Sequence, residues 1–143
     1  MQVSQQGLTM IAQFEGCILH TYLDSRGLPT IGVGHLIKPG ESFTTITHDE
    51  AMALFQSDIQ SRVDFMNSLL DDGELNQTQF DACLSLMYNI GNNAFENGTV
   101  YERLDQGSME AAADAFLLWA HPAVLLARRQ KERLLFLNGV YPT

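Results

Sequence analysis

Apolar residues recur every three or four positions along most of this 143-residue chain, a spacing that indicates a mainly helical protein. Residues 4–15 begin with Ser4, a typical N-cap residue, and are followed by Gly16, a typical helix stop. Residues 47–50 have the form of a capping box, and the apolar stripe that follows them ends near residue 72. Such a helix of about twenty residues spans roughly 30 Å, enough to connect two lobes.

The helical pattern continues from residue 76, with further predicted helices over residues 109–120 and 124–137. Residues 20–37 differ, because they are rich in Tyr, Thr, Ile, Val and Gly and contain a turn-like segment at residues 25–29. This part predicts a β-hairpin. The expected fold class is therefore α+β and mostly helical, with a small β-hairpin lobe and a helical C-terminal lobe joined by a long helix.

The chain shows no internal repeat, low-complexity tract or linker, so we expect one domain over residues 1–143. The predicted parts are a hairpin lobe at residues 16–46, a connecting helix at residues 47–72, and a helical lobe made of residues 1–15 and 73–143.

Charge and composition narrow the classes of molecule that this protein is expected to bind. The formal charge of -9 argues against binding to nucleic acid or to an anionic membrane surface. No apolar run approaches the ~20 residues of a membrane span, and the N-terminus lacks the pattern of a signal peptide. We expect Cys17 and Cys83 to be free thiols, although one bridge between them stays open. The four histidines are scattered along the chain, so we expect no metal and no cofactor.

Glu15 is a candidate general acid because it would end the first predicted helix. The unsatisfied carbonyl groups at a helix end, together with partial burial, favour the protonated form of a carboxyl. A glutamic acid that stays protonated near neutral pH can donate a proton to a leaving oxygen. Taken alone, however, Glu15 fits an ordinary exposed glutamate more readily.

The predicted hairpin adds a second acid and a hydroxyl. Period-two alternation would place Tyr22 and Asp24 on one face of the first strand. It would place Thr30, Gly32 and Gly34 on one face of the second strand, with Thr30 opposite Asp24 and the glycines leaving room for a bulky ligand. We expect Asp24 to stay ionised, so the two carboxyls divide into an acid and a base, as in glycoside hydrolysis.

These candidates lie in one ordered block, Glu15-Gly16-Cys17-x-Leu19-x-x-Tyr22-x-Asp24-x-x-Gly27-x-x-Thr30-Ile31-Gly32-x-Gly34-His35. Downstream matches are Gln79, Tyr88-Asn89-Ile90-Gly91, Phe95, Trp119 and Arg128-Arg129-x-x-Glu132. The pattern resembles the signature of phage-type lysozymes, glycoside hydrolase family 24, over nearly the whole chain.

The resemblance implies Glu15 as the general acid, Asp24 as the carboxylate that activates water, and Thr30 as the hydroxyl that positions this water. It also implies a basic side chain near Glu15, for which Arg129 is the better candidate and Arg128 the alternative. The implied activity is that of a muramidase, which cleaves the β-1,4 bond between N-acetylmuramic acid and N-acetylglucosamine, by inversion.

His35 shares a predicted strand face with apolar residues, so we expect a supporting core histidine satisfied by one carboxylate. Asn89 and Thr99 fit sugar contact and satisfaction of the local backbone equally well. Trp119 lies in an apolar run, and we expect it in the core. The candidate substrate-binding residues are Tyr22, Gly32, Gly34, Asn89 and Thr99.

Bacterial peptidoglycan is the implied partner of a monomeric enzyme, and an immunity or inhibitor protein is an open second partner. The enzyme would be made in the cytoplasm and would meet the wall in the periplasm, as a phage endolysin or, alternatively, as a secreted effector or spike-associated domain. Two other functions stay in view. A lytic transglycosylase needs no water bound by Asp24, and a non-catalytic wall-binding module would not need all three catalytic residue types.

Overall fold

A computed structural model describes all 143 residues and confirms the α+β, mostly helical class. The α-helices are α1 (Gln5–Glu15), α2 (His48–Leu69), α3 (Gln77–Ile90), α4 (Asn92–Glu96), α5 (Thr99–Asp105), α6 (Met109–Ala115) and α7 (Leu126–Asn138). The remaining elements are 3₁₀ helices at Phe116–Trp119 and Ala123–Leu125 and the strands β1 (Ile18–Leu23), β2 (Pro29–Gly32) and β3 (His35–Leu36).

Two compact units make up the chain. One unit is formed by Leu8–Gln60, and the other by Met1–Gly7 together with Ser61–Thr143. The boundaries fall within α1 and α2 and so differ from the predicted lobe boundaries at residues 15 and 72. That the whole chain acts as one catalytic domain stays a prediction.

Helix α1 begins and ends where its sequence predicts. The Ser4 hydroxyl accepts a hydrogen bond from the backbone N–H of Gly7 at 2.9 Å, as an N-cap does. At the other end, the N–H of Gly16 donates to the carbonyl oxygen of Ala12 at 2.8 Å, and Gly16 has a φ of 87°. This left-handed conformation suits glycine and ends the helix one residue after Glu15.

The unit Leu8–Gln60 contains an antiparallel sheet in the order β1-β2-β3. The predicted hairpin corresponds to β1 and β2, and β3 is a short third strand that the alternating pattern did not separate from β2. One cluster of the apolar core of this unit contains buried Ile31, Ile46 and Ala51, with Cys17, Ile37, Phe43 and Leu54 packed against them. The sheet is thereby held against the first turns of α2.

Helix α2 starts with the predicted capping box. The Thr47 hydroxyl accepts from the N–H of Glu50, and the Glu50 carboxylate accepts from the N–H of Thr47, both at 3.1 Å. The buried side chains then follow the predicted spacing: Met52, Phe55, Ile59, Val63 and Met66.

Helix α3 is the most buried helix of the other unit. Residues 80–87 are buried without exception, whereas the sequence pattern predicted a single apolar stripe. The difference arises because α7 and α4 both pack against α3, so that polar positions on it are also covered. Cys83 is one of these buried residues, and burial raises the pKa of its free thiol.

Asp81 anchors the start of the chain to α3. This buried carboxylate accepts hydrogen bonds from the Ser4 N–H at 3.2 Å and from the Tyr141 hydroxyl at 2.6 Å. A Cβ atom at Gly7 would lie 2.5 Å from the Asp81 carboxyl carbon, so only glycine permits this close approach.

None of the helices combines the length and the apolar character that crossing a membrane requires.

Candidate active site

Glu15 is the last residue of α1, and its side chain is exposed. The predicted position at a helix end is confirmed, but the predicted partial burial is wrong. The carbonyl groups of the last turn still place partial negative charge at this end of the helix. The side chain is also accessible to solvent.

Asp24 lies one residue beyond the end of β1, in the turn before β2. Its Oδ1 atom accepts from the backbone N–H groups of Arg26, at 2.8 Å, and Leu28, at 3.0 Å. Its Oδ2 atom faces the Arg26 guanidinium, with Nη2 at 3.0 Å. The prediction that Asp24 shares a strand face with Tyr22 is therefore wrong, because these side-chain hydrogen bonds form the turn that ends the strand.

The same contacts favour the ionised form of Asp24. The hydrogen bond from the Leu28 N–H, followed by those from Arg26, lowers the pKa of this carboxyl below its ordinary value of 3.8. Hydrogen bonds from backbone N–H groups stabilise the charged form of a carboxylate. These contacts thus favour the ionised carboxylate that its sequence position led us to expect.

Thr30 is buried on β2, where its cross-strand neighbours are Tyr22 on β1 and Leu36 on β3. The prediction that Thr30 pairs with Asp24 is wrong, since the turn at Asp24 shifts the pairing to Tyr22. The Thr30 hydroxyl donates to the carbonyl oxygen of Leu28 at 2.9 Å.

Leu28 nevertheless connects the two predicted site residues through its backbone. Its N–H donates to the Asp24 carboxylate, while its carbonyl oxygen accepts from both the Asp24 N–H, at 2.9 Å, and the Thr30 hydroxyl. One residue therefore bonds to both the carboxylate and the hydroxyl. Asp24 and Thr30 are linked by way of Leu28 and not by strand pairing.

Gly32 and Gly34 were predicted to lie on one strand face with Thr30, but the backbone does not continue as a regular strand through them. Gly32 and Gly34 have φ values of 68° and 67°, so the chain turns here and the alternation of faces does not continue. Gly32 is buried, and a Cβ atom added there would meet the Cβ of Ala51 at 3.4 Å. Its close approach is to Ala51 on α2, and its predicted part in substrate binding stays a prediction. Gly34 is exposed with open space around it, and Tyr22 is half-buried beside Thr30.

His35 is buried and contacts two carboxylates where the sequence led us to expect one. Its Nδ1 atom lies 2.7 Å from Asp58 Oδ2, and its Nε2 atom lies 3.0 Å from Glu41 Oε1. Burial of the ring opposes its charge, but the hydrogen bonds to Asp58 and Glu41 outweigh burial and raise the pKa of His35 above its ordinary value of 6.5. These contacts favour the protonated ring, and the bond to Asp58 links β3 to α2.

Arg129 is fully buried within a polar network on α7 and α3. Its Nη1 atom donates to Glu132 at 2.5 Å, and its Nη2 atom donates to the side-chain oxygen of Asn89. The Glu132 carboxylate also accepts from Arg128 Nε, at 3.2 Å, and from the Ser85 hydroxyl. Burial raises the pKa of Glu132, and Arg129, Ser85 and Arg128 oppose that rise.

This network bears on two predicted residues. Asn89 uses its amide oxygen for Arg129, which favours local satisfaction over sugar contact for that atom. Arg129 and Arg128 are both engaged with Glu132, and the implied placement of a cation beside Glu15 stays a prediction.

Thr99 begins α5 and lines a cavity of about 340 Å³ with Trp119. Trp119 is only half-buried, which differs from the predicted core position.

Sequence reasoning missed several partners of the predicted residues. Arg26 follows Asp24 by two residues in a predicted turn. Because an Asp side chain often bonds to the backbone two residues later, this spacing could have indicated the contact. Glu132 follows Arg128 and Arg129 by four and three residues, the spacing of helical ion pairs. Asp58 and Glu41 had no such signal, because they reach His35 from other elements.

Comparisons with known proteins agree with the resemblance. The sequence model of the phage lysozyme family matches residues 12–132. The chain is 46% identical to the endolysin of Salmonella phage P22 over 146 aligned positions, which cover 96% of this chain and 99% of that one.

Solved structures extend the agreement to the fold. A variant of P22 lysozyme superposes with a TM-score of 0.89 at 46% identity, covering 96% of this chain and 99% of that one. The muramidase domain of SpmX from Asticaccaulis excentricus superposes with a TM-score of 0.84 at 32% identity, covering 96% and 98%. The predicted lysozyme-like fold is thereby confirmed.

Proposed function

This chain belongs to the phage lysozyme family, and we propose on that premise that it is an inverting muramidase. Family membership makes it a lysozyme that hydrolyses peptidoglycan. The proposal adds the bond, which is the β-1,4 bond between N-acetylmuramic acid and N-acetylglucosamine, and the stereochemistry. The muramidase domain to which the chain is similar supports this choice of bond.

Glu15 acts in this proposal as the general acid. It protonates the glycosidic oxygen as the bond from the anomeric carbon to that oxygen breaks. Its exposed position at the end of α1 supports the role, because the carboxyl can meet a polymeric substrate.

The observation that carries the proposal is the shared backbone of Leu28 between Asp24 and Thr30. Since the Thr30 hydroxyl donates its proton to Leu28, its remaining lone pairs can accept a hydrogen bond from water. The ionised Asp24 accepts the other proton of that water at Oδ2, where the exposed Arg26 gives up one of the two hydrogen bonds of a weak surface pair. A water held by both acceptors directs its oxygen towards the anomeric carbon.

The reaction then balances as a single displacement. The water oxygen bonds to the anomeric carbon, one water proton passes to Asp24, and the proton of Glu15 goes to the leaving sugar. Inversion needs the two carboxyls about 6.5 to 9.5 Å apart to admit this water, whereas retention needs about 5 to 5.5 Å. Thr30 favours inversion, because neither covalent attack nor transglycosylation requires a group that positions water.

The test is the anomeric form of the first product. A defined glycan is digested, and NMR spectra are recorded before mutarotation. We expect a reducing N-acetylmuramic acid that forms first as the α-anomer. An initial β-anomer would replace inversion with retention and make Asp24 a nucleophile. A 1,6-anhydro product would indicate a lytic transglycosylase, and binding without any cleavage would indicate a wall-binding module.

This enzyme acts on the cell wall. The route by which it reaches the wall is part of the proposal. We propose a phage endolysin that is made in the cytoplasm and reaches the wall in the periplasm, with a secreted effector as the alternative. An immunity protein would belong only to the second case.

A further inference from the structure

Arg26 contacts the Asp24 carboxylate with both its backbone and its side chain. Its N–H donates to Asp24 Oδ1 at 2.8 Å, and its guanidinium reaches Oδ2 from Nη2 at 3.0 Å and from Nε at 3.3 Å. The guanidinium is therefore tethered two residues from the carboxylate that it contacts. A short tether limits the conformational freedom lost on pairing, unlike a pair between distant surface residues.

The turn that carries Arg26 is itself fixed by backbone hydrogen bonds. The Gly27 N–H donates to the Asp24 carbonyl oxygen and the Asp24 N–H donates to the Leu28 carbonyl oxygen, both at 2.9 Å. Gly27 has a φ of 78°, a left-handed conformation that lets the chain double back at this point. Arg26 thus projects from a closed turn, beside the carboxylate.

All acceptor positions of the Asp24 carboxylate are occupied in this arrangement. A carboxylate offers about four lone-pair positions, shared between its two oxygens. Oδ1 accepts from the N–H groups of Arg26 and Leu28, and Oδ2 accepts twice from the Arg26 guanidinium. The bonds at Oδ1 belong to the turn, whereas those at Oδ2 come from a side chain that is 64% exposed. A water that binds Asp24 therefore replaces one Arg26 bond, and the longer bond from Nε is the weaker one.

We propose that Arg26 is a positioning residue of the displacement, which holds Asp24 Oδ2 with Nη2 while its Nε bond is exchanged for one to the reacting water. The χ2 torsion of an aspartate has broad preferences, so contacts at both oxygens narrow the orientation of the carboxylate plane. Held in this way, Oδ2 presents a defined acceptor to the water that Thr30 also binds. This inference rests on the proposed function, because it takes Asp24 to be the base.

The charge of Arg26 acts in the same direction as its hydrogen bonds. The hydrogen bond from the Leu28 N–H is the largest cause of the lowered pKa of Asp24, and the Arg26 N–H and guanidinium add to it. Asp24 therefore stays ionised at a lower pH with Arg26 than without it. The same charge makes the carboxylate a weaker base. The gain from Arg26 thus lies in orientation and ionisation, not in basicity.

Arg26→Gln tests this role because glutamine keeps a polar side chain and removes the charged fork. We expect kcat on solubilised wall fragments to fall about ten- to a hundredfold, the upper figure being the cost of a misplacement of about 1 Å. KM should stay parental, because Arg26 acts on Asp24 and not on the sugar. Thermal melting should also stay parental, since an exposed ion pair adds little to stability.

Two further variants separate position from charge. Arg26→Lys keeps the charge without the planar fork and should recover part of the lost rate. Arg133→Gln is the matched control, because Arg133 also reaches one carboxylate oxygen, Asp114 Oδ1, from Nε at 3.0 Å and from Nη2 at 2.7 Å. It should keep the parental kcat, since Asp114 has no part in the proposed reaction.

The carboxyl carbon resonance of Asp24 in NMR spectra, assigned by its loss in Asp24→Asn, reports on the same contact without turnover. Its titration midpoint should move to higher pH in Arg26→Gln, and the acid limb of the pH–rate profile should move with it. An unchanged midpoint, a parental or raised kcat in Arg26→Gln, or a change confined to KM would overturn the positioning role.

Failure of this inference is distinguishable from failure of the proposed function. A parental rate in Asp24→Asn would remove Asp24 as the base, and with it the proposed reaction. A parental rate in Arg26→Gln together with an inactive Asp24→Asn would remove only the positioning role. If the parent cleaved no walls, the NMR midpoint would still decide whether Arg26 holds the carboxylate.

Discussion

Glu15 ends α1, and a glutamine there keeps the size and hydrogen bonding of the side chain while it removes the proton to be donated. We expect Glu15→Gln to lower the rate of wall lysis by about 10² to 10⁴, the usual contribution of a general acid. The initial rate of turbidity loss measures this effect, and thermal melting should remain parental. A variant that lysed walls at a tenth of the parental rate would exclude Glu15 as the essential acid.

Glu96 offers a matched control for this substitution. It is an exposed glutamate at the last position of the helix α4, as Glu15 is at the last position of α1. Glu96→Gln should therefore preserve both the rate and the melting temperature. A loss of rate in this control would attribute the effect at Glu15 to general charge and not to acid catalysis.

Thr30 combines a buried methyl group with a hydroxyl bonded to Leu28. Thr30→Val keeps the branched shape and removes the hydroxyl, so we expect kcat to fall about 10²-fold through loss of the positioned water. The Leu28 carbonyl keeps its hydrogen bond from the Asp24 N–H, which limits the cost in stability to about 1 kcal/mol. Steady-state kinetics and chemical denaturation measure the two effects.

Thr30→Ser separates chemistry from packing at the same position. It retains the hydroxyl and loses the buried methyl group, so it should recover much of the rate while destabilising the fold. If Thr30→Ser were as slow as Thr30→Val, the hydroxyl would have no part in positioning water.

At the scale of elements, His35 ties β3 to α2 and to the segment that follows the sheet. Its partners Asp58 and Glu41 stabilise the protonated ring and raise its pKa. A group whose pKa is raised in the folded state contributes stability below the unfolded value, and this contribution is lost as the pH rises through the folded value. The contribution of His35 is therefore present below the unfolded pKa of 6.5 and is lost as the pH rises through the raised pKa of the folded state.

His35→Ala should consequently destabilise the protein by about 1 to 3 kcal/mol, because it leaves the partners of a buried group unsatisfied. Melting curves at several pH values should show the largest difference from the parent on the acid side of neutrality and a smaller one above it. His20→Ala, at an exposed histidine of β1, is the control. A difference that does not depend on pH would mean that the ring contributes packing and not charge.

At the scale of the whole molecule, the charge of -9 opposes an anionic wall polymer. The Debye length falls from about 30 Å at 0.01 M salt to about 8 Å at 0.15 M, so moderate salt screens this repulsion. We expect the rate of wall lysis to rise over that range and to decline only at higher salt. A rate that falls steadily from the lowest salt upward would indicate a local basic surface that governs binding.

The sequence determined the features that depend on neighbouring residues. The N-cap at Ser4, the stop at Gly16 and the capping box of Thr47 and Glu50 all form within four residues, so their patterns suffice. The apolar spacing of α2 is local for the same reason. Because the catalytic candidates lie in one short block, their order along the chain also carried the family resemblance.

Tertiary structure decided the pairings that local patterns do not contain. The register of β1 and β2 pairs Thr30 with Tyr22. His35 finds Asp58 on α2, 23 residues away. Such contacts depend on where whole elements lie in space. Two partners that are far apart in the chain produce no periodic pattern in the sequence, so local spacing does not predict their hydrogen bond.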